Sequence, residues 1–390
     1  MAEPARPAEE IVSSHFYDYS PSQYIYTFNQ GYFDPINDPE TVRSSRESSD
    51  KEAEIALDAD NFRPKDGKTW EDVVLCQREQ KDAPETRLIY VTRHGRTGHN
   101  EAQERFGKAI YYKYLAFDDE YLDPALSDVG IAQAKAAGNM VAEAVHQGAP
   151  IPTAVFTSSL RRCPQTALFM TREITSHFPQ QEDPIKMFIS DKLREWVGIN
   201  HKHTSDRRSC GPDIVDYMQD FGQEYNIKDV IFSFDHPFPA NDAEFELDVL
   251  VESHTEVVRR MRAALDTIFE QDDECVHVVL HNCSFMAFAR AIGHMDPPKD
   301  GMNIANGATI PFLVSRSELS PEAVQERQFG EEHLIKEELV TLAKEKEIVF
   351  SKAAKMVEEL PPDIYEELKE KVRKLGGDLD ELERDRKGSN

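Results

Sequence analysis

The chain has 390 residues and a formal charge of −27, from 45 Lys+Arg against 72 Asp+Glu. Such acidity argues against nonspecific nucleic-acid binding and against docking on anionic lipid, because both need a net positive surface. With 39% hydrophobic and 30% charged residues, the composition predicts a packed core carrying polar extensions. No apolar run is long enough to span a bilayer, and Met1–Glu10 has no apolar stretch of the secretory kind. The five cysteines, Cys76, Cys163, Cys210, Cys275 and Cys283, are scattered without a C-x-x-C pair. That usage predicts reduced thiols and a cytoplasmic location.

Residues 1–86 read as an aromatic-rich, partly disordered extension. Phe16, Tyr17, Tyr19, Tyr24, Tyr26, Phe28, Tyr32 and Phe33 are too many rings to sit in water, and packing as a strap over the main domain is expected. The Ser/charged stretch from Ser44 to about Asp60 shows no periodicity. From Arg87 the texture changes. Arg87–Thr92, Ala154–Thr157, Lys186–Ile189, Val276–Leu280 and Thr309–Val314 are short apolar runs with the look of buried strands. Between them, Ala134, Ala137, Val141, Ala144 and Val145 form one helical stripe, and Val257, Met261, Ala264, Leu265, Ile268 and Phe269 another. Alternating strands and helices predict an α/β fold, a three-layer α/β/α sandwich with a mostly parallel sheet over residues 87–315. Residues 316–390 predict a charged helical tail, with Glu337–Val349 and Asp363–Leu375 helical, Pro361-Pro362 between them and Gly376-Gly377 as a stop. The pattern leaves the oligomeric state open.

Ligands of such sheets sit beyond the carboxyl ends of the strands. There the first strand runs into Arg93-His94-Gly95-Arg96-Thr97-Gly98-His99-Asn100. A neutral imidazole with a free lone pair suits a phosphoryl-accepting nucleophile, and flanking arginines disfavour its protonation. Gly95 leaves the backbone open to a phosphate. Arg93 offers a planar fork for two phosphate oxygens, and Thr97 and Asn100 add neutral donors.

Arg93-His94-Gly95-x-Thr97-x-x-Asn100 resembles the signature of the histidine phosphatase superfamily, the phosphoglycerate-mutase-like enzymes. Further landmarks follow in order. Asp123-Pro-Ala-Leu126-Ser-Asp-Val-Gly130-Ile-Ala-Gln133-Ala134 is similar to the family's D-x-x-L-S/T-x-x-G-x-x-Q-A segment. Thr157-Ser158-Ser-Leu160-Arg161-Arg162-Cys-Pro-Gln165-Thr166-Ala167 resembles S-S-x-L-x-R-A/C-x-Q-T-A. Leu193-Arg194-Glu195 resembles L-x-E, and His281 follows an apolar run as the second catalytic histidine does. The resemblance spans about residues 87–314 and is nearest a fungal branch, in which His99-Asn100 and a stretch like Thr204–Ser209 recur. It implies Arg162 as a second phosphate clamp, Glu195 as proton donor and His281 as a further phosphate contact.

The small residues that usually surround the second histidine are replaced by Leu280, Asn282 and Cys283. The Asn282 backbone N–H remains a phosphate donor, while its side chain and Cys283 crowd the rim. His277 rivals His281 and reads as a core residue. Arg207 and Arg208 are candidate substrate-anion contacts, and together with Arg93, Arg96, Arg161 and Arg162 they suggest a local basic pocket in an acidic protein. His201 and His203 lack the spacing of a metal set, and neither metal nor cofactor is expected. The implied activity is a metal-independent histidine acid phosphatase-type phosphomonoesterase acting on a small molecule or a phosphoprotein, its cap formed by about residues 200–250. Phosphoglycerate mutase-type transfer is one alternative, and a weakly active member that binds a partner protein is another.

Overall fold

The computed structural model describes residues 12–13, 20–33, 54–55, 62–78, 85–180, 185–197, 204–209, 211–224, 230–234, 242, 250–294 and 303–388. Most of the Ser/charged stretch, the ring cluster Phe16–Tyr19, His201, His203, Cys210 and parts of the 200–250 insert lie outside these residues. A seven-stranded sheet organises the rest. In chain order its strands are β1 (Tyr24–Phe28), β2 (Glu85–Arg93), β3 (Ala154–Ser158), β4 (Ile185–Ser190), β5 (Val230–Phe234), β6 (Cys275–Leu280) and β7 (Thr309–Glu318). Their spatial order is β1-β7-β2-β6-β3-β4-β5. β2, β6, β3, β4 and β5 run parallel, while β7 is antiparallel to both β2 and β1.

The order fixes the layers. The main helices are α1 (Trp70–Arg78), α2 (Gly98–Phe106), α3 (Asp128–His146), α4 (Arg162–His177), α5 (Gly211–Glu224), α6 (His254–Phe269) and α7 (Asn282–Ala291). The steps β2→β3→β4→β5 through α3, α4 and α5 all move one way along the sheet. Right-handed crossovers therefore put these helices on one face, and the return step from β5 to β6 puts α6 on the other. α3 packs on α4, and α7 packs on α6. β2, β3 and β6 are buried almost throughout, as parallel strands covered on both faces must be. The fold is thus α/β and three-layered.

Two strands were not legible in the sequence. β1 comes from the aromatic extension. Tyr26 and Phe28 point inward, with Phe28 edge-on to Phe312, and Arg316 lies over Tyr24. Further along, Phe33, Phe62 and Trp70 pack around Tyr90 at the sheet's other side chains. The extension is therefore built into the core rather than laid over it. β5 is a half-buried edge strand, whose short Val-Ile-Phe-Ser-Phe run carries no turn signal of its own.

The tail is three helices, α8 (Pro321–Glu359), α9 (Pro362–Lys374) and α10 (Leu379–Lys387). Pro361 and Pro362 separate the first two because a proline cannot donate into a preceding turn. Ile335, Leu339 and Leu342 of α8 join the main core. Val357, Tyr365, Leu368, Val372 and Leu382 form a second core with Ala102, Phe106, Ile110, Tyr111, Leu115 and Tyr121. The segment that follows the Arg-His-Gly motif, including the π-helical turn Tyr111–Leu115, is thus packed against the tail. Lys113 and Tyr114 both bond Asp385, and Arg105 meets Glu367 at 2.6 Å. Leu368 is fully buried in this second core. Leu368→Ala should cost about 2–5 kcal/mol, read as a lower midpoint in chemical denaturation.

Candidate active site

The carboxyl ends of β2, β3 and β6 meet where the sequence landmarks converge. β2 delivers Arg93 and His94, β3 delivers Ser158, and β6 delivers His281 as the N-cap of α7. His94 and His281 stand with ring centroids 5.0 Å apart at 62°. His94 Nδ1–H donates to the Gly95 carbonyl at 2.7 Å, which leaves Nε2 as the lone-pair nitrogen. Arg162, the first residue of α4, donates its Nε–H to His94 Nε2 at 3.3 Å and to His281 Nδ1 at 3.2 Å. His281 Nε2–H then donates to Ser158 Oγ at 2.8 Å. Both rings are fully out of water. Burial, then Arg162, hold each well below the ordinary imidazole range, with Arg93 adding to His94. Both are therefore neutral near pH 7.

Glu195 lies one turn away. Its Oε1 accepts from Ser284 N–H at 3.1 Å and Trp196 N–H at 2.8 Å, and its Oε2 accepts from Cys283 N–H at 3.2 Å. The carboxyl thus sits on the N-terminus of α7, beside the His281 cap. Burial raises its pKa first, and Asp206 adds to the rise, against the N–H groups and Arg162. The loop bearing Glu195 is fastened by Arg260. That guanidinium holds Glu252 through two 2.8 Å bonds and donates to the carbonyls of Lys192 and Arg194 at 2.9 and 2.8 Å.

Several expected substrate contacts have other work. Thr97 and Asn100 form the capping box of α2. The Thr97 hydroxyl donates to Asn100 Oδ1 at 3.1 Å, and Asn100 Nδ2 donates to His99 Nε2 at 3.0 Å. Asn282 Oδ1 accepts from Ile304 N–H at 2.8 Å, so that side chain reaches the 303–304 segment, to which Arg93 Nη1 also donates. Arg207 is half-buried at the end of the Thr204–Asp206 turn. His277 is a core residue, bonded to Thr92 at 2.8 Å.

The expected basic pocket is narrower than the sequence suggested. Arg96 pairs with Glu104, and Arg208 with Asp191 at 3.2 Å. Arg161 donates to the Asp123 carbonyl at 2.7 Å and lies over Tyr217. Arg162 reaches both histidine rings by hydrogen bonding. Its own partner is a buried carboxylate that sequence reasoning missed. Arg162 Nη2 meets Asp206 Oδ1 at 2.6 Å, with the two side chains 1% and 2% exposed, and Nη1 donates to the Ser205 carbonyl. A buried guanidinium needs such a partner. The Thr204–Ser209 stretch was the available signal, but attention to its arginines hid its aspartate.

Asp123 explains part of its motif. Its backbone is left-handed at φ 38°, and its fully buried carboxylate accepts from Arg161 N–H and Ser209 Oγ–H, both at 2.9 Å. It thereby joins the 204–209 segment to the start of α4. Gly95 also has a different reason from the one expected. A Cβ there would lie 2.4 Å from the Gly130 carbonyl oxygen, and one on Gly130 would lie 2.0 Å from that of Arg96. The two glycines let the loop after His94 touch the first turn of α3 backbone to backbone. Gly95→Ala should therefore destabilise the protein by at least about 1–3 kcal/mol with no phosphate present, measured by denaturant unfolding. An unchanged midpoint would return the glycine to phosphate access.

Among the described residues, no helix is long and apolar enough to cross a membrane, and Cys76, Cys163, Cys275 and Cys283 are free thiols. Residues 89–209 match the model of the histidine phosphatase superfamily (branch 1). The chain is 28% identical over 248 residues to an Arthroderma benhamiae protein described as "Probable phosphoglycerate mutase", covering 61% of this chain and 66% of that one. A Saccharomyces cerevisiae protein with the same description is 27% identical over 260 residues, covering 63% and 84%. Among solved structures, Mycobacterial hydrolase 1 aligns with a TM-score of 0.35 at 17% identity, over 60% of this chain and 97% of that one.

Proposed function

We propose that the chain, whose residues 89–209 match the histidine phosphatase superfamily (branch 1) and which resembles fungal proteins described as probable phosphoglycerate mutases, is a phosphomonoester hydrolase working through a phosphohistidine on His94. The observation that carries this reading is the tautomer of His94. Its Nδ1–H is committed to the Gly95 carbonyl, so the Nε2 lone pair faces Arg162 and His281.

In the first step, His94 Nε2 forms a bond to phosphorus while the ester P–O bond breaks in line. Electron pair and leaving alkoxide depart together, and protonated Glu195 supplies the proton. In the second step, Glu195 takes a proton from water, the water oxygen bonds phosphorus, and the P–N pair returns to His94. Arg162 and Arg93 balance the charge on the equatorial oxygens, and His281 borders them as a second acceptor of the Arg162 Nε–H, so positioning and electrostatics carry the rate. That neutralisation by arginine is why we read the enzyme as metal-independent and of the histidine acid phosphatase type. We place it in the cytoplasm, acting on a phosphorylated metabolite or a phosphoprotein. Nucleic acid and anionic membrane are poor partners for a chain of charge −27.

His94→Ala should lower aryl-phosphate hydrolysis by more than about 10³-fold, while a chelator leaves the wild type unchanged. Rapid quenching of wild type with labelled substrate should trap an acid-labile, alkali-stable phosphoenzyme. Wild-type turnover equal to that of His94→Ala across a panel of phosphate esters would overturn the reading in favour of a binding role. The description of both relatives favours a second outcome, discharge of the phosphoenzyme to a phosphoglycerate hydroxyl. The ratio of transferred to hydrolysed phosphate separates the two.

The pH dependence follows from the two shifts. His94 must be unprotonated, and its pKa is lowered, so the acid limb of kcat/KM lies well below the ordinary imidazole range. Glu195 must be protonated, and its pKa is raised, so the alkaline limb lies above the ordinary carboxylate range. Glu195→Gln should lose about 10²–10⁴-fold in rate together with that alkaline limb.

A further inference from the structure

We propose that Asp206 is a positioning residue for phosphoryl transfer, fixing the Arg162 fork so that its Nε–H faces the two histidines and standing as the like-charged neighbour of Glu195. The inference rests on the phosphohistidine reading above and assigns a role to a residue which that mechanism does not use.

The geometry is that of a fork held from behind. A guanidinium is planar, so fixing two of its nitrogens fixes the direction of the third. Asp206 Oδ1 holds Nη2 at 2.6 Å and the Ser205 carbonyl holds Nη1, which leaves Nε directed at His94 and His281 at 3.3 and 3.2 Å. The Thr204–Asp206 turn is itself fastened on several sides. Thr204 N–H donates to the Ala116 carbonyl at 2.9 Å, and Asp123 N–H to the Thr204 carbonyl at 3.2 Å. Arg194 Nη2 donates to the Asp206 carbonyl at 2.8 Å while its fork grips Asp242 at 3.1 and 2.9 Å. Since Arg194 precedes Glu195, one side chain ties the proton-donor loop to the turn behind Arg162.

The groups facing Glu195 are Asp206, Arg162, Cys163, Cys283 and Tyr112. Those facing Asp206 are Arg162, Arg194, Tyr111 and Tyr112 besides Glu195. Asp206 binds the guanidinium directly, and the buried Glu195 carboxyl lies within the field of both. The Asp206 carboxylate disfavours ionisation of Glu195, which favours the protonated state that a proton donor needs.

Asp206→Asn, Asp206→Ala and Asp206→Glu, assayed on an aryl phosphate across pH with melting curves alongside, test the role. Asp206→Asn keeps an acceptor for Nη2 and removes the charge, so the alkaline limb of kcat/KM should move to lower pH by about one unit. Asp206→Ala, which also frees the fork, should lose about 100-fold in kcat/KM, and Asp206→Glu should restore the limb. If Asp206→Ala does not fold, the Asn and Glu variants decide. An Asp206→Asn profile superimposable on wild type would overturn the proposal, even if the variant melts lower. A wild type no more active than His94→Ala would instead sink the phosphohistidine reading itself.

Discussion

A single buried guanidinium organises this molecule. Arg162 is 1% exposed, and a cation so far from water must be surrounded by acceptors or it unfolds its surroundings. The acceptors come from three parts of the chain: His94 after β2, His281 after β6, and Ser205 with Asp206 from the turn beyond Glu195. Each of these is placed by a strand end or by a strapped loop. The arrangement of the site is therefore largely the solution to one desolvation problem, and that solution puts two neutral imidazoles face to edge around the arginine's remaining N–H.

The same logic recasts the charge of the whole chain. A phosphate site in a protein of charge −27 need not be a basic basin. Here the neighbouring arginines are matched one to one with buried acids: Arg194 with Asp242, Arg208 with Asp191, Arg260 with Glu252 and Arg162 with Asp206. These pairs act as struts between loops. On the proposed function, what meets an anion is direction as much as charge, namely the Arg162 Nε–H, Arg93 and rings with committed tautomers. Specificity for a small, compact phosphoryl group follows more readily from such an arrangement than attraction for a polyanion does.

Legibility in the sequence divided along physical lines. The parallel core strands and the stripes of α3 and α6 were legible because burial on fixed faces writes a periodicity. His94, Arg162, Glu195 and His281 were legible through their motif neighbours, and the structure gathers them at adjoining strand ends. β1 was not, because an aromatic run that pairs with β7 across nearly the whole chain looks locally like any ring-rich strap. Asp206 was not, because a lone acid among 72 has no pattern until its partner is known. Thr97 and Asn100 have a duty that the sequence hid, the capping box of α2. Sequence shows that a donor is available near the site, while only geometry shows that a helix cap or a turn has already taken it.

The second core has an implication for how the protein comes into being. Residues 98–121 follow the nucleophile and supply Tyr111 to the neighbourhood of Asp206, and they are buried largely by side chains from Val357 onward. A nascent chain that has emerged only as far as β7 holds Arg93, His94, Arg162, Glu195 and His281 and the complete seven-stranded sheet. It still lacks the apolar cover for Phe106, Ile110 and Leu115. The wall of the candidate site beside His94 is thus finished by residues far downstream of the sheet. During synthesis that aromatic segment therefore stays without its apolar cover after the sheet is whole, until residues 357–382 have followed.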